Sequence, residues 1–142
     1  MYIGIKHLHS ALAYILLAVL IISLIYTLAS YINKKPFTET VRKVTLAGLI
    51  ATHLQLLAGL LLYFLSPVGF SNLSGAAMQD ALARLYVVEH PLTMVIAAVL
   101  ITVGYSRAKR LTEDTRRYKQ ILIFYTIGLV LILIRIPWMV WP

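Results

Sequence analysis

The stretch from Ile3 to Tyr31, IGIKHLHSALAYILLAVLIISLIYTLASY, sets the fold class, because Lys6 is its only residue formally charged at neutral pH. A helix crossing a bilayer core about 30 Å thick needs about 20 predominantly apolar residues, and this run supplies more. Thr27-Leu28-Ala29-Ser30 resembles a small-residue cleavage site, yet the run is too long for the apolar part of a secretory signal. It reads as a retained membrane helix.

Three further runs of the same kind follow, Val44 to Leu65, Ala81 to Tyr105 and Tyr118 to Trp141. The connections at Asn33 to Pro36, Ser66 to Gly75 and Ser106 to Arg117 are short, which makes neighbouring spans antiparallel. The expectation is one all-α integral membrane domain over residues 1–142, an up-down bundle of four transmembrane helices. Composition agrees. Of 142 residues, 61% are hydrophobic and 13% charged, against about 45–50% and about 25% in soluble domains. A water-soluble fold of this size could not bury that much aliphatic surface.

Thirteen basic residues against five acidic ones give a net charge of +8, which in a soluble protein would suggest nucleic acid. Position argues otherwise. Lys34, Lys35, Arg42 and Lys43 flank the first connection, and Arg107, Lys109, Arg110, Arg116, Arg117 and Lys119 flank the third. Positive residues mark the cytoplasmic side, so both termini and the Ser66–Gly75 loop are expected outside. Trp138, Trp141, Tyr2 and Tyr63 would form the outer aromatic belt. The partner of the apolar surface is the lipid bilayer, not nucleic acid.

Cysteine is absent, which excludes disulfides, iron–sulfur clusters, thiolate zinc sites and covalent haem attachment. With that topology the ionisable residues gather in the outer half. At about 1.5 Å per residue, His7 and His9 lie roughly 6–10 Å from the outer end of their helix, Arg135 about 10 Å, Glu89 and His90 roughly 12–14 Å, and His53 about 15–18 Å. Such groups are costly in lipid and usually meet a partner or ligand inside the bundle. His7 and His9 point to faces about 160° apart, so at most one serves the same site as His90.

The stripe of Thr45, Gly48, Thr52, Gln55 and Gly59 has the small-residue character of a close helix seam. His53 falls instead among Leu46, Leu49, Ile50, Leu56, Leu57 and Leu60, a face against which a flat cofactor can lie. Pro91 removes the donor to the Val87 carbonyl and disfavours αR geometry at His90, which predicts a kink with the freed backbone group satisfied by a neighbour.

Haem b fits these features best, since its iron takes two axial imidazoles and its propionates take arginine or lysine. His53 and His90 are the preferred ligands, with His7 or His9 as substitutes. Arg135, aided by Lys6 or Arg84, would meet propionate, and Glu89 would orient a ligand or carry a proton. A copper or zinc site of three histidines and Glu89 is the competing reading. No hydrolytic dyad, nucleophile motif, phosphate loop or HExxH element is present.

Several motifs carry a resemblance: Leu8-His9-Ser10, Lys35-Pro36-Phe37, His53-Leu54-Gln55-Leu56-Leu57-Ala58-Gly59, Tyr63-Phe64-Leu65-Ser66-Pro67, Val88-Glu89-His90-Pro91, Ile101-Thr102-Val103-Gly104 and Ile136-Pro137-Trp138. On these the chain resembles the small four-helix membrane proteins of the Bacteroidetes commonly labelled cytochrome B. More loosely it is similar to four-helix b-type cytochromes that exchange electrons between quinone and an outer-face partner, although those carry two haems. The resemblance implies a bacterial inner-membrane protein in electron transfer with quinone. An accessory or assembly subunit of a larger respiratory complex, or a homodimer, is the alternative.

Overall fold

A computed structural model describes every residue from Met1 to Pro142. Four rods account for most of it: α1 (Tyr2–Ile32), α2 (Glu39–Leu65), a third running from Ala81 to Arg110, and α6 (Asp114–Arg135). The third rod is composite, with α4 (Ala81–Arg84), a π-helical turn (Leu85–Glu89) and α5 (His90–Arg110). Between α2 and α4 lie a 3₁₀ turn (Phe70–Asn72) and the short α3 (Gly75–Gln79). All four rods are long and apolar enough to cross a membrane, and mid-rod side chains such as Ile22, Ile25, Leu57, Val99 and Val130 are exposed. The architecture is that of a multi-pass membrane protein.

α1 packs on α2 and α6, and α5 packs on α6 and α2. The ring is closed, with sequential rods adjacent and antiparallel. One end of the bundle, the terminal end, carries both termini and the 66–80 loop. The other, the basic end, carries the two cationic connections.

The small-residue stripe on α2 forms the predicted seam. A Cβ at Gly48 would lie 3.3 Å from Leu20 Cδ2 and Tyr125 Cε2, so the absence of a side chain sets how closely α1 and α6 approach. Buried hydroxyls turn back on their own helices, Thr27 to the Ser23 carbonyl at 2.7 Å and Thr52 to the Gly48 carbonyl at 2.8 Å. Polar atoms are thereby satisfied without water in a core of Leu16, Leu20, Ala97, Ile101, Ile121 and Ile132. The buried Tyr125 spans the bundle, donating its hydroxyl to the Thr45 carbonyl at 2.7 Å.

Four helix ends differ from expectation by about a turn or more: the third rod runs on to Arg110 instead of ending at Tyr105, α6 begins at Asp114 instead of Tyr118, and the other two have local causes. α2 begins at Glu39, before the apolar run, because Thr38 caps it and its Oγ1 accepts from the Val41 amide. α6 stops at Arg135 instead of running to Trp141. Pro137 holds Ile136 in extended geometry, φ −65° and ψ 136°, and the last residues fold back. There Trp141 Nε1 donates to Ser10 Oγ at 2.7 Å, and its ring packs on Tyr14 at 4.7 Å.

Candidate functional site

The π turn is the local feature that builds the site. Pro91 has no N–H for the Val87 carbonyl four residues back, and the Tyr63 hydroxyl donates to that carbonyl at 2.8 Å. The expected external partner for the freed group is therefore a tyrosine of α2, the half-buried Tyr63, whose ring also packs on Phe64 and Phe70. His90 is αR all the same, with φ −65° and ψ −56°. The widened turn, in which the His90 amide bonds the Leu85 carbonyl, accommodates the proline ring without driving His90 out of the helix. Turns of this kind are concentrated at functional sites.

His90 reaches across the bundle to α1, where its ring meets His9 with centroids 6.2 Å apart and planes at 87°. His90 Nδ1 lies 2.8 Å from the Arg135 carbonyl oxygen. Because a carbonyl only accepts, Nδ1 carries the proton and Nε2 keeps its lone pair. His9 is seated against α2. Gly59 leaves room for the ring, since a Cβ there would come within 2.9 Å of His9 Cε1, and Gln55 Nε2 donates to the His9 carbonyl at 3.0 Å. His9 Nδ1 and Gln55 Oε1 are both buried without a hydrogen-bond partner. Buried polar atoms without a partner are uncommon.

A half-buried ionic cluster closes the terminal end. Arg84 Nε donates to Glu89 Oε1 at 2.8 Å and Arg84 Nη1 to the Met78 carbonyl at 2.9 Å, while Arg135 Nε stands 3.9 Å from Glu89 Oε2. The side chains of Arg84, Glu89 and Arg135 are 40%, 31% and 44% exposed. Two guanidiniums on one carboxylate leave one positive charge in excess. The sequence suggests two roles for Glu89, orienting a ligand or carrying a proton; the group hydrogen-bonded to His90 Nδ1 is the Arg135 carbonyl.

The sequence-derived residues thus divide. His9, His90, Glu89 and Arg135 come together, joined by Arg84. His7 is exposed and stands apart. His53 does not meet His90. It is exposed on α2, and its Nε2 lies 2.8 Å from Thr102 Oγ1, whose own hydroxyl donates to the Ala98 carbonyl at 2.7 Å. Thr102 and His90 are twelve residues apart on α5, about 18 Å along the axis. The interior at this level belongs to the Thr52, Gln55 and Gly59 face of α2, so His53 turns outward. With the Thr102 proton engaged, His53 donates from Nε2 and keeps an acceptor at Nδ1.

No three His, Asp or Glu side chains gather closely enough to form a metal-holding group, so the three-histidine arrangement with Glu89 is not assembled. Gln55 and Gly59, which the sequence places on the α2 seam, and Tyr63, which it places in the aromatic belt, join the site as well. Two signals pointed to them: the Gln55/Gly59 spacing of four on the seam, and the acceptor that Pro91 had to leave. No family model, curated protein or solved structure matches the chain, so its site is read from geometry and chemistry.

Proposed function

We propose that the chain is a membrane b-type cytochrome that holds one haem b between His9 and His90 and passes electrons between a membrane quinol and a partner at the terminal end. The donor set carries the reading. Two imidazoles meet, the number of axial ligands a haem takes from protein, whereas zinc and copper centres are built from three or four donors. His9 and His90, with ring centroids 6.2 Å apart, are the residues that would hold the iron. The buried His9 Nδ1 has no hydrogen-bond partner within the chain, so the His9 ring is not committed to another contact through that atom, and the residues present fit the group.

The haem would supply a one-electron couple, and the rest is the work of the chain. Donation from His90 Nδ1 to the Arg135 carbonyl fixes the tautomer and makes Nε2 a stronger ligand. The bare Gly59 surface positions the His9 ring. Arg84 and Arg135, with their excess positive charge, would receive the propionates, and Glu89 holds both guanidiniums in place. His53 supports the quinol part of the reading: its free Nδ1 on an exposed side chain suits a phenolic hydroxyl donor, and it lies about 9 Å along α2 from Gly59, the seat of His9. The cationic connections support a reading in which the terminal end faces the outer side of a bacterial inner membrane, the side and membrane that the sequence resemblance implies.

Oxidised and dithionite-reduced spectra of the protein purified in detergent with haem supplied test the proposal. A Soret band with sharp low-spin bands on reduction is the expected result. Absence of any Soret band would overturn it.

A further inference from the structure

At the basic end, away from the histidines, the exit of α1 and the entry of α6 enclose an open groove of about 570 Å³ lined by Tyr31, Lys34, Lys35, Asp114, Thr115 and Tyr118. Neither lysine is ion-paired: the salt bridges of the chain are Arg42–Glu39, Arg84–Glu89 and Arg135–Glu89. Asp114 is likewise unpaired. The hydroxyl of Tyr118 is spent on the Pro36 carbonyl at 3.0 Å, and its ring packs on Tyr31 at 5.9 Å, so Lys34, Lys35 and Asp114 are the groove's unpaired charged groups.

The backbone at Lys34 is the second, independent observation. Lys34 has φ 53°, the chain's one positive φ outside glycine. It closes α1, its amide bonding the Tyr31 carbonyl at 3.1 Å while the Lys35 amide bonds the Ser30 carbonyl at 3.0 Å. Glycine is the residue favoured at such a helix exit. A lysine here accepts backbone strain, and what it adds is an ammonium on the groove. Immediately beneath, the exposed apolar side chains of Leu28 and Ile32 descend the outer face of α1. The groove therefore sits on the boundary between hydrocarbon and polar surface, with cations above and an apolar track below.

The geometry points to an anionic phospholipid with a hydroxyl-bearing headgroup, of the phosphatidylglycerol type, as the occupant of this groove. Its phosphodiester is met by Lys34 and Lys35, its acyl chains follow Leu28 and Ile32, and its headgroup hydroxyls donate to the Asp114 carboxylate. Basic pockets between membrane helices on the positive side are suited to such lipids. Asp114 supplies the selectivity, since a bare phosphate gains nothing from a carboxylate, while a glycerol headgroup offers it donors. Free glycerol phosphate shares the polar chemistry but makes no use of the apolar track.

Native mass spectrometry of the full chain in neutral detergent, titrated with phosphatidylglycerol, phosphatidic acid, phosphatidylcholine or glycerol 3-phosphate, tests this. One phosphatidylglycerol per chain is expected, bound more tightly than phosphatidic acid, with phosphatidylcholine far weaker and glycerol 3-phosphate neither binding nor competing. Affinity should fall about fivefold for each lysine removed, the attraction expected per basic residue near an anionic lipid surface. Lys34→Gly is the informative variant, because glycine relieves the backbone and keeps the fold while deleting the ammonium. Lys119→Ala, outside the groove, should bind as the parent does, and Asp114→Asn should abolish the preference over phosphatidic acid. Undiminished binding in Lys34→Gly/Lys35→Ala, equal retention of phosphatidylcholine, or displacement by glycerol 3-phosphate would overturn the lipid site. Unchanged selectivity in Asp114→Asn would overturn the role of the hydroxyl.

Discussion

Replacing Tyr63 by Phe isolates the device that lets Pro91 sit inside a membrane rod. The ring contacts with Phe64 at 5.4 Å and Phe70 at 6.0 Å survive, and only the donor to the Val87 carbonyl at 2.8 Å is lost. Val87 is 2% exposed, so water cannot replace the hydroxyl. A buried acceptor left without a partner costs about 1–3 kcal/mol, while hydrogen bonds measured within membrane bundles average about 0.6 and reach about 1.7 kcal/mol. We expect about 1–1.5 kcal/mol for Tyr63→Phe, toward the upper membrane range because Pro91 deletes the ordinary helical donor. In a Pro91→Ala background the new alanine restores that backbone N–H, and the same Tyr63→Phe change should cost less than about 0.5 kcal/mol. The assay is reversible unfolding in mixed micelles across the four-member cycle. An equal cost of Tyr63→Phe in both backgrounds would mean that the hydroxyl is not standing in for the missing amide.

Gly104→Ala, whose Cβ would fall 2.5 Å from Phe124 Cβ and 3.2 Å from the Gln120 carbonyl oxygen, should destabilise the α5/α6 pair by about 1–3 kcal/mol. Gly4→Ala, with nothing within 4 Å, should be neutral or stabilise by up to about 1 kcal/mol; unfolding in mixed micelles separates the two. Gly59→Val should push His9 off α2 and disturb the His9–His90 contact, read as a change in the His9 ring proton shifts on nuclear magnetic resonance, with the helical circular dichroism retained. Trp141→Phe should cost about 0.5–1.5 kcal/mol through loss of its bond to Ser10 and should raise hydrogen exchange in residues 136–142.

The four rods and their up-down order were legible because lipid imposes a length and an apolar surface that few other constraints produce. The α2 seam was legible for a similar reason, small residues at helical spacing being what close packing requires. Pairing between helices was harder to read. His53 offered no partner on its own stripe because its partner, Thr102, stands 49 residues away on α5, and the phase of one helix says nothing about the register of the next. Depth along the helices does not separate His53 from His9 as the partner of His90, and the turn at Leu85–Glu89, wider than an α turn, shifts the phase of the rod just before His90. The end of α6 was overrun because Trp138 to Trp141 continue the apolar pattern while Pro137 ends the helix.

Spectra of a set of histidine variants decide whether His9 and His90 hold a haem. Haem-supplied preparations of the parent chain and of His7→Ala, His9→Ala, His53→Ala and His90→Ala are compared for Soret intensity per chain in the reduced and oxidised states. Full, low-spin haem is expected in the parent, His7→Ala and His53→Ala, with loss or conversion to high-spin haem in His9→Ala and His90→Ala. Haem that depends on His53 but is indifferent to His9, or a parent chain that takes up none, would contradict the assignment.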